Sequence, residues 1–130
     1  MNTQNNKSYQ ELDAWKKGID LSVLLYFLTN NFPQHEVYSL TNQLRRCAVS
    51  IPSNIAEGLG RATTKDTLKF LAISKGSLYE LETQLIIANR IGYLSNEAHS
   101  KLNLLAMDCK KLINGLIKYL KSKLDSSTNN

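Results

Sequence analysis

QLRRCAVSIPSNIAEGLGR, running from Gln43 to Arg61, is the stretch whose reading decides the fold. At 100° per residue, Leu40, Leu44, Ala48, Ile51 and Ile55 align as one apolar stripe, while Gln43, Arg46, Ser50, Ser53 and Glu57 gather on the opposite side. A helix patterned this way buries its stripe against other helices. Pro52 has no amide donor and its ring presses on the carbonyl four residues earlier, so a kink is expected between Ala48 and Pro52. Gly58 and Gly60 are expected to end the helix, since glycine adopts positive φ readily. Leu59 to Ala62 then form a short connection that displays Arg61. The polar side has two readings. It is a solvated face, or it is a network in which Arg46, Asn54, Glu57 and Arg61 tie the glycine-rich turn to neighbouring helices.

The same periodicity continues on both sides of this stretch. A first helix is expected from Tyr9 to Thr29, with Leu12, Trp15, Ile19, Val23 and Phe27 as its apolar repeat and Gly18 permitting close approach of another helix. Asn30 to Pro33 breaks that run, and the second helix is expected over Glu36 to Glu57. Thr63, with Asp66 three positions on, caps a third helix that reaches about Arg90. Leu68, Leu71, Leu78 and Leu85 centre its core face, widened by Phe70, Leu81 and Ile91. Ile73, Gly76 and Ile87 point away from that centre and form a candidate oligomer surface, on which Gly76 would admit a close backbone. Gly92 supplies a stop. Ser95 then caps a fourth helix whose core face carries Leu102, Leu105, Cys109, Leu112, Leu116 and Leu120. Four amphipathic helices joined by short turns predict an all-α, antiparallel up-and-down four-helix bundle over residues 9–121. The polar ends, residues 1–8 and 122–130, read as flexible tails.

With 130 residues and 42% hydrophobic content, the chain can bury one core as a single domain. No leader or membrane-spanning run is present, so a cytoplasmic location is expected. Cys47 and Cys109 fall within apolar helical patterns and read as reduced core residues. Sixteen Lys and Arg against eleven Asp and Glu give a net charge of +5, with the excess gathered in the last helix. That balance makes an anionic partner the first class to consider.

Enzyme chemistry finds little support. His35 and His99 belong to no metal-ligand spacing, and Glu11, Glu57, Glu80 and Glu82 lack the Glu-x-x-His elements of a carboxylate-bridged metal bundle. Neither cysteine has a nearby base, and Ser50, Ser53 and Ser77 have no histidine on their faces. No cofactor is implied. Arg45, Arg46 and Arg61 are instead candidates for phosphate contacts, joined by Lys110, Lys111, Lys118 and Lys121 along the last helix. Such contacts hold a nucleic-acid backbone without reading its bases.

The order SIPSNIAEG (Ser50–Gly58), followed by GSLYELE (Gly76–Glu82) and by Gly92, Tyr93 and Leu94, resembles the family of small four-helix bundle proteins encoded in intervening sequences of bacterial large-subunit ribosomal RNA genes. The resemblance runs from the first helix to Tyr119. It implies a compact bundle and a ring-like homo-oligomer, with a pentamer as the familiar assembly. A remoter structural similarity, to the accessory protein of diversity-generating retroelements, extends the implied partners to RNA or DNA and a reverse-transcriptase-like protein. Against the signature the resemblance implies a polar network of Gln43, Ser50, Ser53, Asn54, Glu57, Lys75, Ser77 and Glu80. Cys47 stands where alanine is more familiar, and Lys75 where arginine is usual. Two functions follow as expectations: a non-enzymatic nucleic-acid or ribonucleoprotein scaffold, or a protein-binding or purely structural homo-oligomeric module.

Overall fold

In the computed structural model, which describes residues 8–128, four helices form a bundle: α1 (Asp13–Thr29), α2 (Leu40–Leu59), α3 (Thr64–Arg90) and α4 (Asn96–Thr128). Each helix packs on two neighbours, in the order α1, α2, α3, α4 and back to α1, while the Cα atoms of the diagonal pairs stay more than 8 Å apart among the described residues. Contacts between neighbours run in opposite residue order. Thr29 meets Arg45 while Gly18 meets Pro52, and Gln43 meets Gln84 while Ile51 meets Ser74. Adjacent helices therefore point in opposite directions. No helix among the described residues is long and apolar enough to cross a membrane.

The stripe on α2 is placed as its periodicity requires, with Leu44, Ala48, Ile51 and Ile55 fully buried and Leu40 partly so. Leu71, Leu78, Leu81 and Leu85 of α3 and Leu102, Ala106, Cys109 and Ile113 of α4 complete the centre. Leu105, Leu112, Leu116 and Leu120 pack around its margin.

On α1 the expected stripe is overturned. Ala14, Gly18, Leu21 and Leu25 face the core, leaving Val23 65% and Phe27 70% exposed. The cause is steric. α1 is apolar around much of its circumference, and the side with small residues is the one that lets α2 approach. A Cβ at Gly18 would lie 3.1 Å from Cβ of Pro52. Pro52 is thus seated on Gly18 within one continuous helix, and the larger Trp15 and Ile19 remain at the edge of the α1–α2 groove.

Several boundaries also differ from expectation. Tyr9–Glu11 is a 3-10 turn capped by Ser8, and Leu12 is extended, so α1 begins at Asp13. Glu36 closes a second 3-10 turn (Gln34–Glu36) instead of opening α2. Its carboxylate accepts from the Leu40 amide at 3.4 Å and from the Tyr93 hydroxyl at 2.9 Å, pinning the α1–α2 connection beside the α3–α4 turn. Gly58 is buried inside α2, and Gly60 ends the helix at φ −86°. Neither uses the positive φ expected of them; among the described residues only Gly92 does, at +87°. Thr63 and Ser95 cap as predicted, accepting from the amides of Asp66 and Ala98 at 3.1 Å each. Helix α4 continues to Thr128, through most of the segment expected to be a tail, and residues 1–7 and 129–130 of the expected tails lie outside the described residues.

Candidate functional site

Where α2 crosses α3, small polar residues replace the leucines found elsewhere. Ser74 is fully buried and donates to the Ile51 carbonyl at 2.7 Å, and Thr67 donates to the Gly58 carbonyl at 2.7 Å. Bonds of this kind contribute about 1 kcal/mol each, and they set the register of the two helices. One turn outward, the hydroxyls of Ser50 and Ser77 lie 2.9 Å apart, and Asn54 donates back to both the carbonyl and the hydroxyl of Ser50. The Cys47 thiol donates to the Ser77 carbonyl at 3.0 Å.

Above this floor opens a cleft of about 310 Å³, lined by Asn42, Gln43, Arg46, Cys47, Ser50, Ser77 and Glu80. Gln84 closes one end, its amide donating weakly to Gln43 at 3.4 Å and to Glu80 at 3.5 Å. Its own carbonyl oxygen is buried with no donor among the described residues. Burial and the nearby Glu80 carboxylate push the Cys47 thiol up to about 12, so it is a neutral donor at physiological pH and not a nucleophile.

The structure therefore gathers Gln43, Ser50, Asn54, Ser77 and Glu80 from the expected polar network, and leaves three residues out. Ser53 faces the α1–α2 groove. Lys75 lies on the α3–α4 side with Tyr79 and Lys121. Glu57 pairs with Arg61 at the exit of α2, 3.4 Å apart. Cys47 and Gln84 belong to the site yet fell outside the expected network. Cys47 shares a helix edge with Ser50 and Asn54, a signal that its apolar character hid. For Gln84 the signal was a lone amide among the leucines of α3.

The seven candidate anion contacts divide sharply. Arg45 donates to Thr29 at 2.9 Å and to Asn30 at 3.2 Å, and stacks on the Tyr26 ring at 4.5 Å, closing the end of α1. Arg61 lies over Phe70 at 4.4 Å, which fastens the turn after α2 onto α3. Lys110 forms a half-buried ion pair with Glu82 at 2.8 Å and sits over Tyr79. These three are engaged within the bundle. Arg46, Lys111, Lys118 and Lys121 make no hydrogen bond or ion pair with any described residue. Arg46 lies on α2 and the lysines on α4, diagonally across the bundle, so one chain does not present them as a single surface.

Apolar side chains crowd two outer faces instead. One follows α1 and the edge of α2 through Trp15, Ile19, Val23, Phe27 and Val49. The other follows α3, where Ile73 is 51% and Ile87 46% exposed, flanked by Tyr79 and Ile86. Gly76 lies on this second face with nothing within 4 Å of where its Cβ would be. Because α1 and α3 are diagonal, the two faces point away from each other.

A family model described as 23S rRNA-intervening sequence protein matches residues 10–115. Among solved structures, the fold is similar to that of a Bacteroides thetaiotaomicron VPI-5482 protein with unknown function from the S23 ribosomal protein family. The TM-score is 0.73 at 22% identity, over 81% of this chain and 95% of that one. No curated protein matches the chain.

Proposed function

Because the chain belongs to the 23S rRNA-intervening sequence protein family, we propose that it works as a non-enzymatic building block that assembles with copies of itself. The observation that carries this reading is the pair of unlike apolar faces on opposite sides of the bundle, with Phe27 70% exposed on one and Ile87 46% exposed on the other. Two different faces that meet make a head-to-tail contact, and such contacts close into a ring when the rotation per copy allows. Five copies is the size the resemblance implies. The apolar area left to solvent on each side is the kind that marks an interaction surface. Burial pushes both thiols up to about 12, so they stay protonated at physiological pH, which supports a non-enzymatic reading.

Sedimentation velocity tests the assembly. Phe27→Asp and Ile87→Asp should each yield helical monomers, because each puts a carboxylate into one half of the contact. Mixed together, the two variants should form dimers and nothing larger, since each retains the face the other lost. A monomeric parent protein would overturn the proposal. So would an Ile87→Asp protein that assembles as the parent does.

A second reading has its own observation: Lys111, Lys118 and Lys121 on α4 have no ion-pair partner among the described residues. Repeated around a ring, these lysines would bind RNA or DNA backbones by avidity even if each contact were weak. Fluorescence anisotropy with single-stranded RNA at low salt should then show binding that Lys118→Glu with Lys121→Glu removes while assembly persists. Arg61→Ala should lower stability instead, through loss of its stacking on Phe70.

A further inference from the structure

Arg46 and Glu80 come from adjacent helices, line the same cleft and carry opposite charges, yet neither forms an ion pair among the described residues. A planar guanidinium donates in a fork that suits a carboxylate. The floor one turn along from both adds a donor. Ser50 and Ser77 share one hydroxyl hydrogen and Asn54 supplies a third, so whichever serine donates to the other, one hydroxyl hydrogen remains to offer.

On the α3 side and toward Gln43 and Gln84 the balance reverses. Glu80 brings a carboxylate that receives only the weak 3.5 Å contact from Gln84 and the neutral Cys47 thiol, and the carbonyls of Gln43 and Gln84 are held by one weak 3.4 Å contact and by none among the described residues. This corner is short of donors. The cleft thus has an acceptor-seeking side at Arg46 on α2 and a donor-seeking side at Glu80 on α3. No aromatic ring lines it, which disfavours a stacked nucleobase. With a carboxylate in the same cleft and only one cation, a phosphate dianion is also disfavoured. Its 310 Å³ sits at the lower limit of small-molecule sites.

We propose that the α2–α3 cleft binds a small zwitterion of the α-amino-acid type, with its carboxylate on Arg46 and the free serine hydroxyl and its ammonium on Glu80. Ile73 and Ile87 of the assembly face lie seven residues to either side of Glu80 on the same side of α3, so binding is tested on the Phe27→Asp protein, where failure of this proposal and failure of assembly are read apart. The test is an amide-resolved NMR titration of the whole protein with each free L-amino acid, up to roughly 10 mM so as to capture millimolar Kd values. N-acetyl amino acids supply the carboxylate alone, and amino-acid amides the ammonium alone.

At least one free amino acid should give saturable shifts at Arg46, Ser50, Ser77 and Glu80. Its singly charged analogues should bind roughly tenfold more weakly or worse, the loss expected for one charge-assisted hydrogen bond. Arg46→Gln and Glu80→Gln should each weaken binding to a similar degree with helicity unchanged. The proposal is overturned if no free amino acid saturates the cleft, or if the blocked analogues bind equally well. It is likewise overturned if, in the Phe27→Asp protein, the same amides shift with protein concentration alone, which would put a second copy of the chain in the cleft.

Discussion

Replacing Gly58 by alanine should loosen the bundle even though alanine is the better helix former. The position lies inside α2, where the propensity gain is at most about 1 kcal/mol. Against it, the new methyl would stand 2.8 Å from Cβ of Phe70 and 3.2 Å from the Thr67 carbonyl oxygen. Both atoms are fixed to the α3 backbone, so no rotamer change relieves the clash, and α2 and α3 must separate by several tenths of an ångström. That movement also stretches the 2.7 Å bond from Thr67 to the Gly58 carbonyl. Overpacking of this kind costs about 1–3 kcal/mol and weakening the hydrogen bond up to about 1 kcal/mol more, which against the propensity gain leaves a net loss of about 1–3 kcal/mol, or roughly 4–12 °C in Tm for a domain of this size.

The control lies two residues along. A Cβ at Gly60 meets nothing closer than 3.5 Å, and φ there is −86°, so Gly60→Ala should be neutral within about 0.5 kcal/mol. Circular-dichroism melts of the two variants and the parent, at matched concentration, measure the difference. If Gly58→Ala melts with or above Gly60→Ala, the claim that a missing Cβ sets the α2–α3 approach is wrong.

Gly76→Ala meets no atom within 4 Å in the middle of α3 and should add about 0.5–1 kcal/mol to the fold, read as a raised urea midpoint in a background made monomeric by Phe27→Asp. Cys47 and Cys109, both pushed up to about 12 by burial, should resist iodoacetamide at pH 8 in the native protein and label fully in urea, as mass spectrometry would show. The hydrogen bond from Tyr93 holds the Glu36 carboxyl below its usual range, so its contribution is present above the ordinary glutamate value and lost as pH falls through the lowered one. Tyr93→Phe should accordingly flatten the acid side of the stability–pH curve. An unchanged acid limb would show that the contact does not hold the connection.

How much of this was legible depended on whether one helix face could be read by itself. On α2 the stripe from Leu44 to Ile55 is flanked by polar residues, so periodicity has one answer, and the structure buries those residues completely. On α1 it has two. Leu12, Trp15, Ile19, Val23 and Phe27 form a legitimate apolar repeat, and what selects the other face is the fit of Gly18 against Pro52, a contact between residues 34 positions apart in the chain. Glycine roles were misread for a related reason. Gly58 looks like a terminator until Phe70 is known to lie against it. Only Gly92 acts through its backbone angle, and it was legible because it follows a long periodic run directly.

The chemical type of the polar residues was readable, but their partners were not. Arg45 and Arg46 are adjacent and identical in chemistry, yet a 100° step turns one toward the end of α1 and the other into the α2–α3 cleft. The same division runs through the whole stretch from Gln43 to Arg61. Pro52 is fixed on Gly18, Ser50 on Ser77, Gly58 on Phe70 and Arg61 on Glu57 and Phe70. A stretch with so many engaged residues would keep its pattern for packing alone, so its likeness to a family pattern carries little weight as an argument for ligand binding. Arg46 stands apart, because the packing gives its charge no partner among the described residues. With Glu80 facing it across the cleft, it is where a function beyond assembly can be sought without disturbing the fold.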